Sequence, residues 1–259
     1  MKAACVALLL AAPAAAQSPF LTDDAIVTPL HGIHLEITNR YDSLSPNDLP
    51  ATSQYTGIVD FKWGILSRVE IGFDFPLLSI HGNDPGQPQT VTGLGDLDFS
   101  TKAVLLPERE GRWWPQVALC IALELPTGNP DNGLGSGVTD FGFNLIASKQ
   151  VDDGITACAN LGLTLTGNTL TGAEGLRPGR GAIFTGGLSL KKDLSKRLQL
   201  GLEVWGSITQ TTVAYGSELR VQAGGSWALS EKVSLIFSAG AGWQASPRVG
   251  GSLGIAADF

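Results

Sequence analysis

The sequence predicts an all-β fold: a transmembrane, antiparallel, up-and-down β-barrel of about twelve strands behind a cleaved N-terminal signal peptide. Three observations predict it. Apolar and polar residues alternate with period two from His31 to Phe259. The connections between these runs are short and long by turns. No apolar stretch after Ala16 approaches the length of a membrane helix. Composition agrees, since 33 glycines in 259 residues with many short apolar runs suit an all-β chain with many turns. No composition shift or low-complexity run divides the chain, so it reads as one domain.

Residues 1–16 read as the signal peptide. Lys2 supplies the n-region charge, Ala3 to Ala12 the short apolar h-region, and Ala14-Ala15-Ala16 the cleavage pattern, with the cut after Ala16. Nothing resembling a lipoprotein cysteine follows the cut. Residues 17–30 contain Pro19-Phe20-Leu21-Thr22-Asp23-Asp24-Ala25 and read as a periplasmic tail or an inward-folded plug. Asp23 and Asp24 could instead bind a cation or cap a short turn. Residues 31–259 form the barrel.

Twelve strands are expected at 31–41, 53–63, 67–76, 95–106, 115–126, 138–148, 154–166, 181–191, 196–208, 216–228, 232–243 and 249–259. The fifth is the clearest, with Val117, Leu119, Ile121, Leu123 and Leu125 alternating against Gln116, Ala118, Cys120, Ala122 and Glu124. Val69, Ile71, Phe73 and Phe75 repeat the pattern in the third, and Leu198, Leu200, Leu202 and Val204 in the ninth. Long, polar, Gly- and Pro-rich connections fall at 42–52, 77–94, 127–137 and 167–180. The alternate connections are short, apart from the intermediate 107–114. An even strand count places both barrel ends on the short-turn rim, the outer-membrane pattern.

Alternation does not say which face is inside. Four features favour a membrane barrel over a soluble one. Twelve long strands enclose an interior too wide for apolar side chains to fill. The polar face carries Gly72, Gly142, Gly162, Gly201, Gly224, Gly240 and Gly254, as a crowded lumen requires. Aromatics gather at strand ends: Tyr41, Tyr55, Phe75, Phe141, Tyr215 and Trp243 near the long-loop rim, and Phe61, Trp63, Trp113, Trp114, Trp227 and Phe259 near the other. The last strand reads Leu253, Ile255, Ala257, Phe259, and a terminal Phe resembles the signal that barrel-insertion machinery recognises. Hydrocarbon cannot satisfy free backbone groups, so such a sheet must close on itself.

The polar set then lines the lumen: Glu36, Arg40, Asp60, Lys62, Arg68, Glu70, Asp74, Asp96, Asp98, Lys102, Glu124, Asp140, Glu203, Glu218 and Arg220. Hairpin folding puts Lys62 beside or diagonal to Glu70, and a turn about Thr211-Thr212 puts Glu203 near Arg220. These charges either brace the wall as ion pairs or form a cation-favouring constriction or solute site. Cys120 and Cys158 have a strand between them, which separates them by roughly 9–10 Å, so both thiols are expected to be free.

Several function classes are disfavoured. A net charge of −7 argues against a nucleic-acid partner. His31, His34 and His81 are the only histidines, and none has an obvious serine partner, with His34 alone on an inward position. Gly93-Leu94-Gly95 opens a strand and not a helix, so it is no phosphate loop. No spacing suggests a metal or cofactor, and no enzymatic role is expected.

Gly93-Leu94-Gly95-Asp96-Leu97, Glu124-Leu125-Pro126-Thr127-Gly128 and Pro19-Phe20-Leu21-Thr22-Asp23-Asp24 together resemble the family called "Putative MetA-pathway of phenol degradation". The resemblance implies an outer-membrane barrel of transporter type, moving small aromatic or hydrophobic solutes passively. The expected setting is the outer membrane of a Gram-negative bacterium, with membrane lipid, insertion machinery and a small solute as partners. The alternative is a plugged structural or surface-binding barrel that acts through its extracellular loops.

Overall fold

The computed structural model describes residues 19–44, 51–82, 89–109, 111–167, 181–211, 215–244 and 247–259. The expected signal peptide lies outside them. The strands are β1 (Ile33–Ser43), β2 (Ala51–Leu66), β3 (Val69–Gly82), β4 (Thr90–Leu94), β5 (Leu97–Leu106), β6 (Gln116–Leu125) and β7 (Asp140–Asp152). They continue as β8 (Ile155–Thr166), β9 (Gly181–Asp193), β10 (Leu198–Thr211), β11 (Tyr215–Ala228), β12 (Val233–Gln244) and β13 (Val249–Asp258).

Successive strands pair antiparallel, and β1 closes the ring by pairing with both β2 and β13. The result is a closed barrel of twelve staves with one extra strand. The extra strand is β4. It pairs with the outer end of β3, from Leu77 opposite Leu94 to His81 opposite Thr90. The chain then breaks at Gly95 and Asp96, and β5 resumes on the same strand with Asp98 opposite Asp74. Residues 77–82 and 90–94 are therefore paired strands prolonging the wall, and not the open loop expected from their polarity, while 83–88 lie outside the described residues. Pro76 and Gly95 looked like strand ends, but the Gly95 N–H donates to the Pro76 carbonyl (2.9 Å) and carries the pairing past the break.

The alternation sorts as a barrel in lipid requires. Leu161, Leu188 and Leu202 are 69%, 65% and 62% exposed on the outer face, whereas His34, Glu70 and Glu203 are 2%, 2% and 1% exposed inside. This inverts a water-soluble core and leaves the lipid face predominantly apolar. The Tyr41 and Tyr55 rings lie 4.8 Å apart near the outer ends of β1 and β2. At the other rim Trp113 is 85% exposed, and the Arg112 guanidinium sits 5.1 Å from the Trp114 ring. No described helix is long and apolar enough to cross a membrane. Cys120 on β6 and Cys158 on β8 are free, with all of β7 between them.

Candidate functional site in the barrel lumen

The chain enters the barrel from the short-turn rim. There the His31 N–H donates to the Gly64 carbonyl (2.7 Å), and the Ile33 N–H donates to the Phe259 carbonyl (3.1 Å). Residues 19–30 run inside the ring. Thr22 and Ala25 are fully buried, and Asp24 nearly so.

Wall residues from seven strands hold this segment. Glu70 on β3 accepts from the Thr28 N–H (2.6 Å). Lys102 on β5 reaches the Asp23 carboxylate (3.1 Å) and the Asp24 carbonyl (3.3 Å). Gln116 on β6 donates to the Ala25 carbonyl (2.7 Å), and Ser148 on β7 accepts from the Ala25 N–H (2.7 Å). The Asn160 amide on β8 both donates to and accepts from the Asp23 backbone (2.9 Å each). Lys191 on β9 binds the Asp24 carboxylate (3.0 Å). Glu203 on β10 accepts from the N–H groups of Leu21 and Thr22 and from the Gln222 amide. Ala25 also packs with Ala118 and Ile146 in a small apolar cluster flanked by Val104 and Cys120.

Burial alone would push the Asp24 carboxyl up. The Lys191 and Lys102 ammonium groups outweigh it and hold Asp24 below its ordinary value. Two inward glycines make room for the same segment. A Cβ on Gly201 would stand 2.8 Å from the Phe20 ring, and one on Gly187 would meet Thr22 and come 3.2 Å from Trp205.

The wall that climbs outward from the segment is built differently. Register places Glu36 opposite Asp60, Asp60 opposite Asp74, Asp74 opposite Asp98, Asp98 opposite Glu124, and Glu124 opposite Asp140. A continuous carboxylate arc thus crosses β1, β2, β3, β5, β6 and β7, climbing outward with the tilt of the strands. Lys62 pairs with Asp60 at 2.8 Å. No lysine or arginine of the described residues pairs with Asp74, Asp98, Glu124 or Asp140. Near the outer end of β1, Arg40 binds Asp42 at 2.8 Å, and Arg220 on β11 lies 3.7 Å from the same carboxylate. A cavity of about 170 Å3 opens above the segment, between Phe20 and the inner faces of β1, β2 and β11 to β13.

The fifteen expected lumen residues separate by position. Glu70, Lys102 and Glu203 touch the N-terminal segment. Glu36, Asp60, Asp74, Asp98, Glu124 and Asp140 form the arc, with Lys62 beside it, while Arg40, Glu218 and Arg220 lie apart from it in the outer parts of β1 and β11. Asp96 braces a loop, accepting from the N–H groups of Gly128 (2.9 Å) and Ser136 (2.6 Å). Arg68 does not line the lumen. It stands exposed in the two-residue turn after Leu66, because β2 runs farther than its pattern suggested.

The pairing of Glu203 with Arg220 is also not formed. Residues 212–214 of that turn lie outside the described residues, but Gln210 pairs with Tyr215, so Gln222 stands opposite Glu203 and Trp205 opposite Arg220. This moves the register by two and keeps every face unchanged. Lys62 is diagonal to Glu70 as expected, but the direct ion pair of Glu70 is with Lys102 at 3.2 Å. His34 is inward as expected, and its Nδ1 lies 2.7 Å from the Asp258 carboxylate across the β1–β13 closure. Gln116, Ser148, Asn160 and Lys191 were missed as segment contacts. Inward apolar residues such as Ala118 and Ile146, which break the polar alternation, were the available signal.

A family model described as "Putative MetA-pathway of phenol degradation" matches residues 46–259. No curated relative matches by sequence. Among solved structures, the COG4313 outer membrane channel from Pseudomonas putida F1 aligns with a TM-score of 0.71 at 11% identity, covering 91% of this chain and 98% of that one. The beta domain of the Bordetella autotransporter BrkA aligns at 0.55 and 14% identity, covering 88% and 99%. The NanC porin aligns at 0.53 and 7% identity, covering 88% and 98%. At these identities the likeness is one of fold, and the fold is that of outer-membrane barrels.

Proposed function

We propose that this chain, which belongs to the phenol-degradation MetA-pathway family, is an outer-membrane channel for passive movement of small solutes with aromatic or otherwise apolar bodies. Residues 1–16 direct its export, and the final strand ending at Phe259 presents it to the insertion machinery of a Gram-negative outer membrane. One observation carries the reading. The N-terminal segment fills only the inner half of the lumen, through polar contacts that water can replace, and a cavity remains above it. The carboxylate arc supports a cation preference for the small ions that pass with the solute.

A second reading is a closed barrel acting through its loops. Anchorage of the segment to seven strands favours it. Planar-bilayer recording separates the two. The intact barrel should give small, brief openings. Deletion of residues 17–30 should raise conductance by about an order of magnitude, since the pore radius then sets it. A deleted barrel that is folded and still silent rejects the channel.

A further inference from the structure

The cavity above the segment has a directional chemistry. Its volume of about 170 Å3 suits one ring or a short branched chain, since a cavity of roughly 150 Å3 holds benzene. Phe20, Ile58 and Ile236 supply apolar surface. Ile58 and Ile236 stand at inward positions where the alternation otherwise places polar residues, so this surface faces away from lipid.

Arg220 lines the same cavity and is 8% exposed. Its register neighbours on either side are Trp205 and Gly242, neither of which offers a side-chain acceptor. The nearest carboxylate oxygen, on Asp42, is 3.7 Å from Nη1, which is too long for a hydrogen bond. The Arg40 Nε holds the other Asp42 oxygen, Oδ2, at 2.8 Å, and the Oδ1 that faces Arg220 accepts no hydrogen bond. The Arg220 Nε is buried and has no partner. A buried cationic donor without an acceptor is costly, and a planar fork of this kind suits a carboxylate best.

Glu36 lies four residues before Arg40 on β1, about 13 Å along the strand toward the segment. The cavity is therefore anionic at its inner end and cationic at its outer end. The arc residues on β3, β5, β6 and β7 do not line it.

We propose that this cavity binds a small apolar carboxylate, with its acid group on Arg220 and its body against Phe20, Ile58 and Ile236. The proposal deepens the channel reading by naming a solute class, and it rests on that reading for its biological use. A neutral phenol or hydrocarbon fills the same volume but leaves Arg220 as it is. A short acid such as acetate meets Arg220 but leaves the apolar surface bare.

The test uses the folded full-length mature barrel in detergent micelles. Benzoate, benzyl alcohol and acetate are titrated by calorimetry, and the fluorescence of Trp205, opposite Arg220 in the register, is followed in parallel. Benzoate should bind at least about tenfold more tightly than either comparator, the amount expected of one charge-assisted contact. Arg220→Gln should weaken benzoate by about tenfold or more and leave benzyl alcohol unchanged, with Arg220→Lys falling between. Equal binding of benzoate and benzyl alcohol by the native barrel overturns the proposal, whatever the variants do. So does a folded Arg220→Gln barrel that binds benzoate as the native one does. Conductance is scored separately: a barrel that conducts without binding benzoate loses this site only, and one that binds benzoate but never conducts, even with residues 17–30 deleted, loses the channel only.

Discussion

The two halves of the lumen use charge in opposite ways. In the inner half, each buried charge that touches the N-terminal segment is answered. Lys102 sits between Glu70 and Asp23, Lys191 binds Asp24, and Glu203 accepts from two backbone N–H groups and an amide. Along the arc, which climbs from the inner part of β1 and β2 to the outer ends of β6 and β7, carboxylates stand opposite carboxylates over five consecutive register pairs. Like charges placed directly across a sheet are destabilising. Folding alone would not favour the arc, whereas the inner charges complete a folded unit. The inner half is organised around its own chain, and the outer half is organised toward whatever enters from outside.

The contrast is broken most severely by unpairing the inner half. Lys191→Met leaves Asp24 buried without its nearest cation, and losing one partner of a buried pair costs about 3 kcal/mol. The segment should then leave its seat far more often. Native Cys120, which flanks the cluster around Ala25, is the reporter: methanethiosulfonate labelling should accelerate by roughly two powers of ten. Unchanged labelling would mean that the ion pair does not hold the segment.

Acid should act in the same direction. Asp24 is held below its ordinary value in the seated state. Its contribution to seating is therefore fully present above the ordinary carboxylate value of about 3.9 and is lost as pH falls through the lower, seated value. Open probability in bilayers should rise only in that acid range for the native barrel. In Lys191→Met the opposing cation is gone, so the rise should begin at higher pH.

Steric pressure gives a smaller effect. Gly187→Val sets side-chain atoms against Thr22 and Trp205, and overpacking of this kind costs about 1–3 kcal/mol. Cys120 labelling should increase by less than in Lys191→Met, without the shifted pH dependence.

The smallest effect sharpens the outer half. Neutralising Asp74, Asp98 and Glu124 together, as Asn, Asn and Gln, should move the cation-to-anion permeability ratio toward unity. Melting temperature should rise slightly, because cross-strand repulsion is relieved. Reversal potential in a salt gradient and thermal unfolding read the two results. A fall in stability would show that the arc is a structural brace.

Much of the architecture was legible because a barrel strand is a local, period-two object. Val117 to Leu125 declares its two faces without reference to any other part of the chain, and the lipid solvent forbids an open edge. The hairpin formed by β3 and β4 was less legible, because its polar residues carry a membrane barrel's wall past the apolar band. Arg68 and the Glu203–Arg220 pair were misplaced for a related reason. Alternation reports the face of a residue, but the centre of a turn sets its height, and an error of one in that centre moves a partner by two.

By itself, then, the sequence determined the closed antiparallel barrel, its orientation of faces and the polar character of its interior, because each follows from alternation and from the demand that every backbone group be bonded within lipid. Only the tertiary structure decided what the interior does with its charges. Glu70, Lys102, Lys191 and Glu203 come from distant parts of the chain and meet only where the barrel closes around residues 19–30. The carboxylate arc and the buried Arg220, whose Nε has no partner, likewise exist only through register, which depends on the geometry of every turn between them.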